Sequence, residues 1–180
     1  SKLSGWKYRG TIGPALLLAG SCSKATLAQN AYYMKQGGVA LQIKPAMVLD
    51  GSQSLTSVWN FVSSHKGKDV LLYSSEEPAE VKKNQAAGKE KVAAILEEMM
   101  ALLARTAVGY GFTRIIVAGG ETSGAVTRGL GFSAYHIGES VAPGVPVLTP
   151  CLRPDIRLVL KSGNFGQEDF FARALQVTKK

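Results

Sequence analysis

Apolar residues along this chain follow two alternating rhythms. Short continuous apolar runs are followed by longer stretches in which apolar positions return every three or four residues. The runs at 14–20 (PALLLAG), 39–43 (VALQI), 69–75 (DVLLYSS) and 113–120 (TRIIVAGG) predict strands, as do 132–140, 145–151 and 155–164. Helical spacing predicts a helix over 23–38, where Ala25, Ala28 and Tyr32 share a face and Gly37 and Gly38 supply the stop. A second helix is predicted over 51–64. A third runs from Lys91, with Val92, Ile95, Leu96, Met99, Leu102 and Leu103 on one side and Gly109 and Gly111 at its end. Further helices are predicted over 120–131, where Val126 and Leu130 lie one turn apart before Gly131, and over 166–178, where Phe170, Phe171 and Leu175 form the apolar side. The polar stretch before Lys91 carries Pro78 and Gly88, and its early part predicts a loop or an interrupted helix.

Alternating strands and helices, with strands apolar throughout rather than on every second residue, predict a layered α/β sandwich: a largely parallel sheet with helices on both faces. The whole of 1–180 reads as one domain. Ligands of such sheets bind beyond the carboxyl ends of the strands, so those are the loops to inspect.

Three of them share a composition. LLLAGSCSKAT (16–26), IIVAGGETSGA (115–125) and LVLKSGNFGQE (158–168) each run from an apolar strand into glycine with small hydroxyl or amide residues, then into a helix signal. Glycine allows a sharp turn and close approach of backbone to ligand. Free N–H groups at a helix start attract negative charge. Three such corners on one rim would cradle several phosphate oxygens. In the second corner Gly119 and Gly120 are expected to permit the turn, so that Gly120→Val would block it. Thr122 and Ser123 would cap the helix or bond a phosphate. Glu121 repels phosphate and would instead hold a magnesium-bound water, orient the loop's own N–H groups or meet a ribose hydroxyl. Lys161 adds a cation at the third strand end. Each corner taken alone has an ordinary explanation in turn and cap chemistry; the anion site rests on all three together. None of them matches GxxxxGK[ST] or a clean GxGxxG.

Charge and rare residues narrow the remaining classes. The formal net charge is +8, which favours anionic partners. The lysines are interleaved with glutamates around 77–91 rather than with aromatic rings, so a nucleic-acid surface is not expected. Cys22 and Cys151 are not at metal spacing, and two lone thiols point to a reducing, cytoplasmic compartment. His65 and His136 are isolated, and no metal site is expected. Ser21 and Ser23 have no histidine nearby in sequence to serve as base, and a hydrolase triad has no support. No apolar run reaches the length of a membrane span, and no leader peptide is expected. The chain starts at Ser1 without Met, as an excised piece would.

The ordered set GSCS with Thr26 and Gln29, then GGETSGAV, then LKSGNFG, resembles the carboxy-terminal nucleotide-binding domain of the four-carbon acid sugar kinase family, over roughly residues 14–176. That resemblance implies ATP and Mg2+ as cofactors and threonate, erythronate or 3-oxo-tetronate as the class of acceptor. It implies nucleotide contacts at Ser21 and Ser23 in the first corner. In the second they fall at Gly119, Gly120, Glu121, Thr122, Ser123 and Gly124, and in the third at Lys161, Gly163, Asn164 and Gly166. The GGETSG corner would hold phosphates and the KSGNFG loop would lie against the nucleotide. Family members are about twice this length, and their sugar-acid domain has no counterpart here. Catalytic residues stay unassigned, because the base would come from that domain, and the chain alone is expected to turn nothing over. A non-catalytic module binding a nucleotide or sugar phosphate is the alternative, and a homodimer is left open.

Overall fold

The computed structural model describes residues 5–75 and 88–180. The loop or interrupted helix expected between 76 and 87 lies outside them. Seven strands form one sheet: β1 (Ala15–Ala19), β2 (Val39–Gln42), β3 (Val70–Tyr73), β4 (Arg114–Ala118), β5 (Tyr135–Ala142), β6 (Val145–Pro150) and β7 (Arg157–Lys161). Between them run α1 (Lys24–Lys35), α2 (Pro45–Leu49), α3 (Leu55–Ser64), α4 (Lys89–Gly109) and α5 (Gly120–Leu130), and α6 (Phe170–Thr178) closes the chain.

The strand order is β2-β3-β1-β4-β7-β6-β5. The first five of these pair in parallel, whereas β6 runs antiparallel to both β7 and β5. The sheet is therefore largely parallel, as its apolar strands predict. The carboxyl ends of β3, β1, β4 and β7 stand side by side on one rim. In register, Ala19 pairs with Tyr73 on one side and Ala118 on the other, and Ala118 pairs with Lys161.

Strand residues alternate between two cores, so both faces are covered. Leu16, Leu18, Leu72, Ile115, Val117 and Leu158 pack on one face with Val58 and Val62 of α3, Met100 and Leu103 of α4 and Val126 of α5. Leu17, Leu71, Ile116 and Val159 pack on the other with Tyr33 of α1 and Phe170, Phe171 and Ala174 of α6. Every residue of β1 and β4 is buried, which is why neither shows a polar alternation.

Element ends differ from the sequence reading where caps decide them. The helix expected from 51 starts at Leu55, because Ser54 and Ser57 form a reciprocal capping box. The helix expected from 166 starts at Phe170. α2, which opens with Pro45 at its first turn, was not predicted; five residues are too few to display a helical period. At the opposite rim, buried Arg114 donates to the Asp69 carboxylate at 3.1 Å and to the Leu175 carbonyl at 2.9 Å. Asp69 also accepts from the Ala15 N–H at 2.8 Å, so one ion pair ties β3, β4, β1 and α6 together.

Candidate functional site

The three corners meet. The Gly20 N–H donates to the Ala118 carbonyl and the Gly119 N–H to the Lys161 carbonyl, each at 2.9 Å, extending the β1, β4 and β7 pairings past the strand ends. Gly119 is the residue that makes the second turn. Its φ is +125°, and a Cβ there would lie 3.1 Å from the Ser21 nitrogen. Gly120 has ordinary helical geometry, and a Cβ there would meet nothing within 4 Å. Of the two glycines expected to permit the turn, Gly119 is the one the geometry requires, and the expectation that Gly120→Val would block the turn is corrected accordingly.

Helix α5 follows at once, with Gly119 at its N-cap and no side-chain cap. Its first helical bond runs from the Ser123 N–H to the Gly119 carbonyl at 2.9 Å. The N–H groups of Gly120, Glu121 and Thr122 precede that bond and have no acceptor within the helix. Thr122 does not cap the helix. It is buried beside Gly20, where any Cβ at residue 20 would collide with its hydroxyl. The Ser123 hydroxyl is buried with no hydrogen-bond partner, and its backbone carbonyl accepts from Thr127.

A cleft of about 290 Å³ opens over these N–H groups. Its floor is Gly20 and Ser21 from the first corner and Gly119, Gly120, Glu121 and Thr122 from the second. Ala93, Leu96, Glu97 and Met100 of α4 wall it on one side, and Ser74 closes the β3 end. A wider cleft of about 620 Å³ adjoins it, sharing Ala93, Glu97, Gly120 and Glu121 and reaching Gly124 and Arg128. These volumes fall near or within the range of small-molecule sites. Burial, then the hydrogen bond and charge of Glu121, hold the Glu97 carboxyl above its usual range, and Arg128 opposes the shift. With Glu90 on the outer cleft, three acids and one guanidinium thus share the mouth of a largely backbone-lined inner cleft.

The third corner lies behind the first rather than in the wall of the cleft. Ser23 caps α1 by accepting from the Thr26 N–H, and its hydroxyl donates to the Gly163 carbonyl at 2.6 Å. Thr26 donates to the same carbonyl at 3.0 Å, and the Gln29 amide donates to Phe165 and Gln167 at 3.0 Å each. A Cβ at Gly163 would collide with the Ser21 hydroxyl. Lys161 is 2 % exposed, and its ammonium turns inward. Asn164 is exposed, and Gly166 takes φ +84° against the Phe170 ring. Of the residues expected at the site, Ser21, Gly119, Gly120, Glu121 and Thr122 line the inner cleft and Gly124 the outer one. Ser23, Lys161, Gly163 and Gly166 brace the first corner from behind.

Sequence reasoning missed Ser74, Glu97 and Arg128. The strand-end rule reaches Ser74, since it follows β3 directly. Glu97 sits in a helix whose apolar spacing speaks only of core, and no local signal marks it. Cys22 and Cys151 are free and exposed. Among the described residues no group of three or more His, Cys, Asp and Glu could hold a metal, and no helix is long and apolar enough to cross a membrane.

A parallel sheet whose carboxyl rim offers glycine corners, a free helix start and a walled cleft defines a nucleotide-binding type of α/β domain. Residues 16–171 match the family model described as a nucleotide-binding C-terminal domain, and the chain belongs to that family. It is 42% identical over 165 residues to a 3-oxo-tetronate kinase of Cupriavidus necator, covering 91% of this chain and 38% of that one. It is 40% identical over 168 residues to a 3-oxo-tetronate kinase of Pectobacterium atrosepticum, covering 90% and 39%. A solved Haemophilus influenzae protein superposes with a TM-score of 0.89 at 34% identity, covering 95% of this chain and 42% of that one. The chain spans about two fifths of the length of these relatives.

Proposed function

We propose that this chain, residues 1–180, is the ATP-binding half of a kinase that phosphorylates a four-carbon sugar acid of the threonate, erythronate or 3-oxo-tetronate type. The observation that carries this reading is the convergence of the β1 and β4 corners under one cleft, with the first N–H groups of α5 on its floor. Phosphates would take those N–H groups and the Ser21 hydroxyl, and the apolar wall of Ala93, Leu96 and Met100 suits the flat face of a base. The similarity to 3-oxo-tetronate kinases supports the acceptor class, and the share of those relatives left uncovered fits a sugar-acid domain supplied by the rest of the protein.

Magnesium fits this donor set only as a nucleotide-borne ion. Glu97 and Glu121 are the carboxylates common to the inner and outer clefts, and two carboxylates with phosphate and water oxygens suit an ion that keeps much of its hydration. When bound, the ion would offset charge on the phosphates. The protein's own residues orient them and hold water off the inner end of the cleft. Phosphoryl transfer relies on positioning and charge stabilisation, and the base for the sugar hydroxyl would come from the sugar-acid domain. Turnover is therefore assigned to the two halves together. Cytoplasmic residence belongs to the same reading, supported by the free exposed thiols.

The test is a thermal-shift titration with ADP and ATP, with and without Mg2+. Binding at a hundred times the dissociation constant stabilises a chain by about 2.7 kcal/mol. A magnesium-dependent rise with the adenine nucleotides is the expected result. No rise with either nucleotide, or an equal rise with a sugar phosphate lacking adenine, refutes it.

A further inference from the structure

Lys161 is the one charged residue among the largest fully buried side chains of the described chain. Its ammonium donates to the Gly163 carbonyl at 2.9 Å, the Thr26 hydroxyl at 3.1 Å and the Ser162 carbonyl at 3.2 Å. Three donors meet three neutral oxygens, so the hydrogen bonding is complete while the charge has no counter-ion among the described residues. The elements packed round it bring no ion to balance it. Thr26 comes from α1, Phe170 of α6 presents its ring at 5.7 Å, and Ala118 of β4 is its strand neighbour. The charged residues on or beside those elements, Lys24 and Lys35 of α1, Glu168, Asp169 and Arg173 at α6 and Arg114 of β4, are not among the causes of its shift; burial pushes its ionisation down to about 8.

Burying a charge without a partner is costly, and a purely structural clamp would be served by a neutral donor. The position explains the choice. The carbonyl of Lys161 holds the Gly119 N–H, and its ammonium holds the Gly163 carbonyl, which also accepts from Ser23 and Thr26. One residue is thus tied to all three corners.

We propose that Lys161 is a positioning residue of the nucleotide site: through the Gly163 carbonyl it fastens the third corner beneath the first, and its uncompensated charge behind the rim selects for polyanionic ligands. This rests on the nucleotide reading given above. In a low-dielectric interior such a charge acts on the rim with little screening. A bound anion in turn favours the protonated ammonium, so affinity is full while Lys161 is charged and declines as pH rises through its ionisation.

The experiment uses the whole chain with ADP as the probe, by isothermal titration, together with amide hydrogen exchange on the ligand-free protein. If ADP raises the ionisation of Lys161 by one unit, affinity weakens about sevenfold between about pH 7 and about pH 9.5, approaching about tenfold at higher pH. Lys161→Met should bind weakly with no such decline, and exchange faster over 20–24 and 162–165. Thr26→Val, which removes one acceptor, should move the midpoint of the decline to lower pH. The Cys22→Ser chain should keep the wild-type profile. A pH-independent wild-type affinity, or a Lys161→Met chain with wild-type affinity and exchange, overturns the proposal. If Lys161→Met does not fold, the wild-type and Thr26→Val profiles decide. If ADP binds at no pH, the nucleotide reading fails, and unchanged exchange in Lys161→Met then removes the positioning role as well.

Discussion

Ser23 and Gly163 lie 140 residues apart in the chain, and the Ser23 hydroxyl donates to the Gly163 carbonyl at 2.6 Å. The approach is close because residue 163 has no Cβ; one would overlap the Ser21 hydroxyl. A single glycine therefore lets two distant loops share hydrogen bonds that neither could complete alone. Ser23 meanwhile keeps its local task as the cap of α1. The helix cap and the contact between loops are both made by the same oxygen, as acceptor in one bond and donor in the other.

Gly119 and Gly120 should separate by substitution. Gly119→Ala forces a side chain into a left-handed conformation 3.1 Å from the Ser21 nitrogen, at an expected cost of about 1–3 kcal/mol. It should also abolish the ADP-dependent thermal shift. Gly120→Ala should stay within about 0.5 kcal/mol of wild type, because its Cβ stands in open space. Urea denaturation of the two variants checks both values, and equal stability of the two would contradict the assignment of the turn.

Asp69→Ala tests the rim remote from the cleft. The substitution leaves Arg114, whose side chain is 3% exposed, without the Asp69 carboxylate, and removes the acceptor of the Ala15 N–H. Breaking a buried pair from one side costs about 3–5 kcal/mol. Chemical denaturation should show that loss, while the dissociation constant for ADP of the folded fraction stays unchanged.

Stability against pH should show two opposed limbs. Lys161 ionises at about 8 in the fold against 10.5 ordinarily, so between those values the unfolded chain holds a proton that the folded chain has released, and stability rises with pH. Burial, aided by the charge of Asp69, raises Tyr33 from 10.0 to about 12, so there the folded chain keeps the proton longer, and stability present below 10.0 is lost as pH climbs to about 12. Denaturation midpoints across this range should rise and then fall. Lys161→Met should lack the rise, and Tyr33→Phe should make the fall shallower without removing it, since burial also raises Tyr8 and Tyr135.

The fold was legible because its central strands are buried on both faces, which leaves an unbroken apolar run in β1, β3, β4 and β7. Helix starts were less so: Ser54 rather than Gly51 begins α3, and only the pairing of Ser54 with Ser57 distinguishes them. Within the site, residues carried by turns were visible, since Gly119, Ser21 and Thr122 belong to a composition that turns require. Residues carried by the packed helix were not. Glu97 faces the cleft from α4 only because α4 lies against α5, a tertiary fact with no local trace. Lys161 was visible as a cation but not as a buried one, because its inward turn depends on acceptors from α1 and from its own loop.

The strand order has a bearing on biosynthesis. β1, β3 and β4 leave the ribosome well before β7, yet β7 is inserted beside β4, and the loop after it supplies the Gly163 carbonyl to which Ser23 and Thr26 donate. A nascent chain halted before residue 163 would carry the cleft-forming glycines with their rear support missing. The rear support of the cleft is thereby completed only after the loop that follows the last strand has been made.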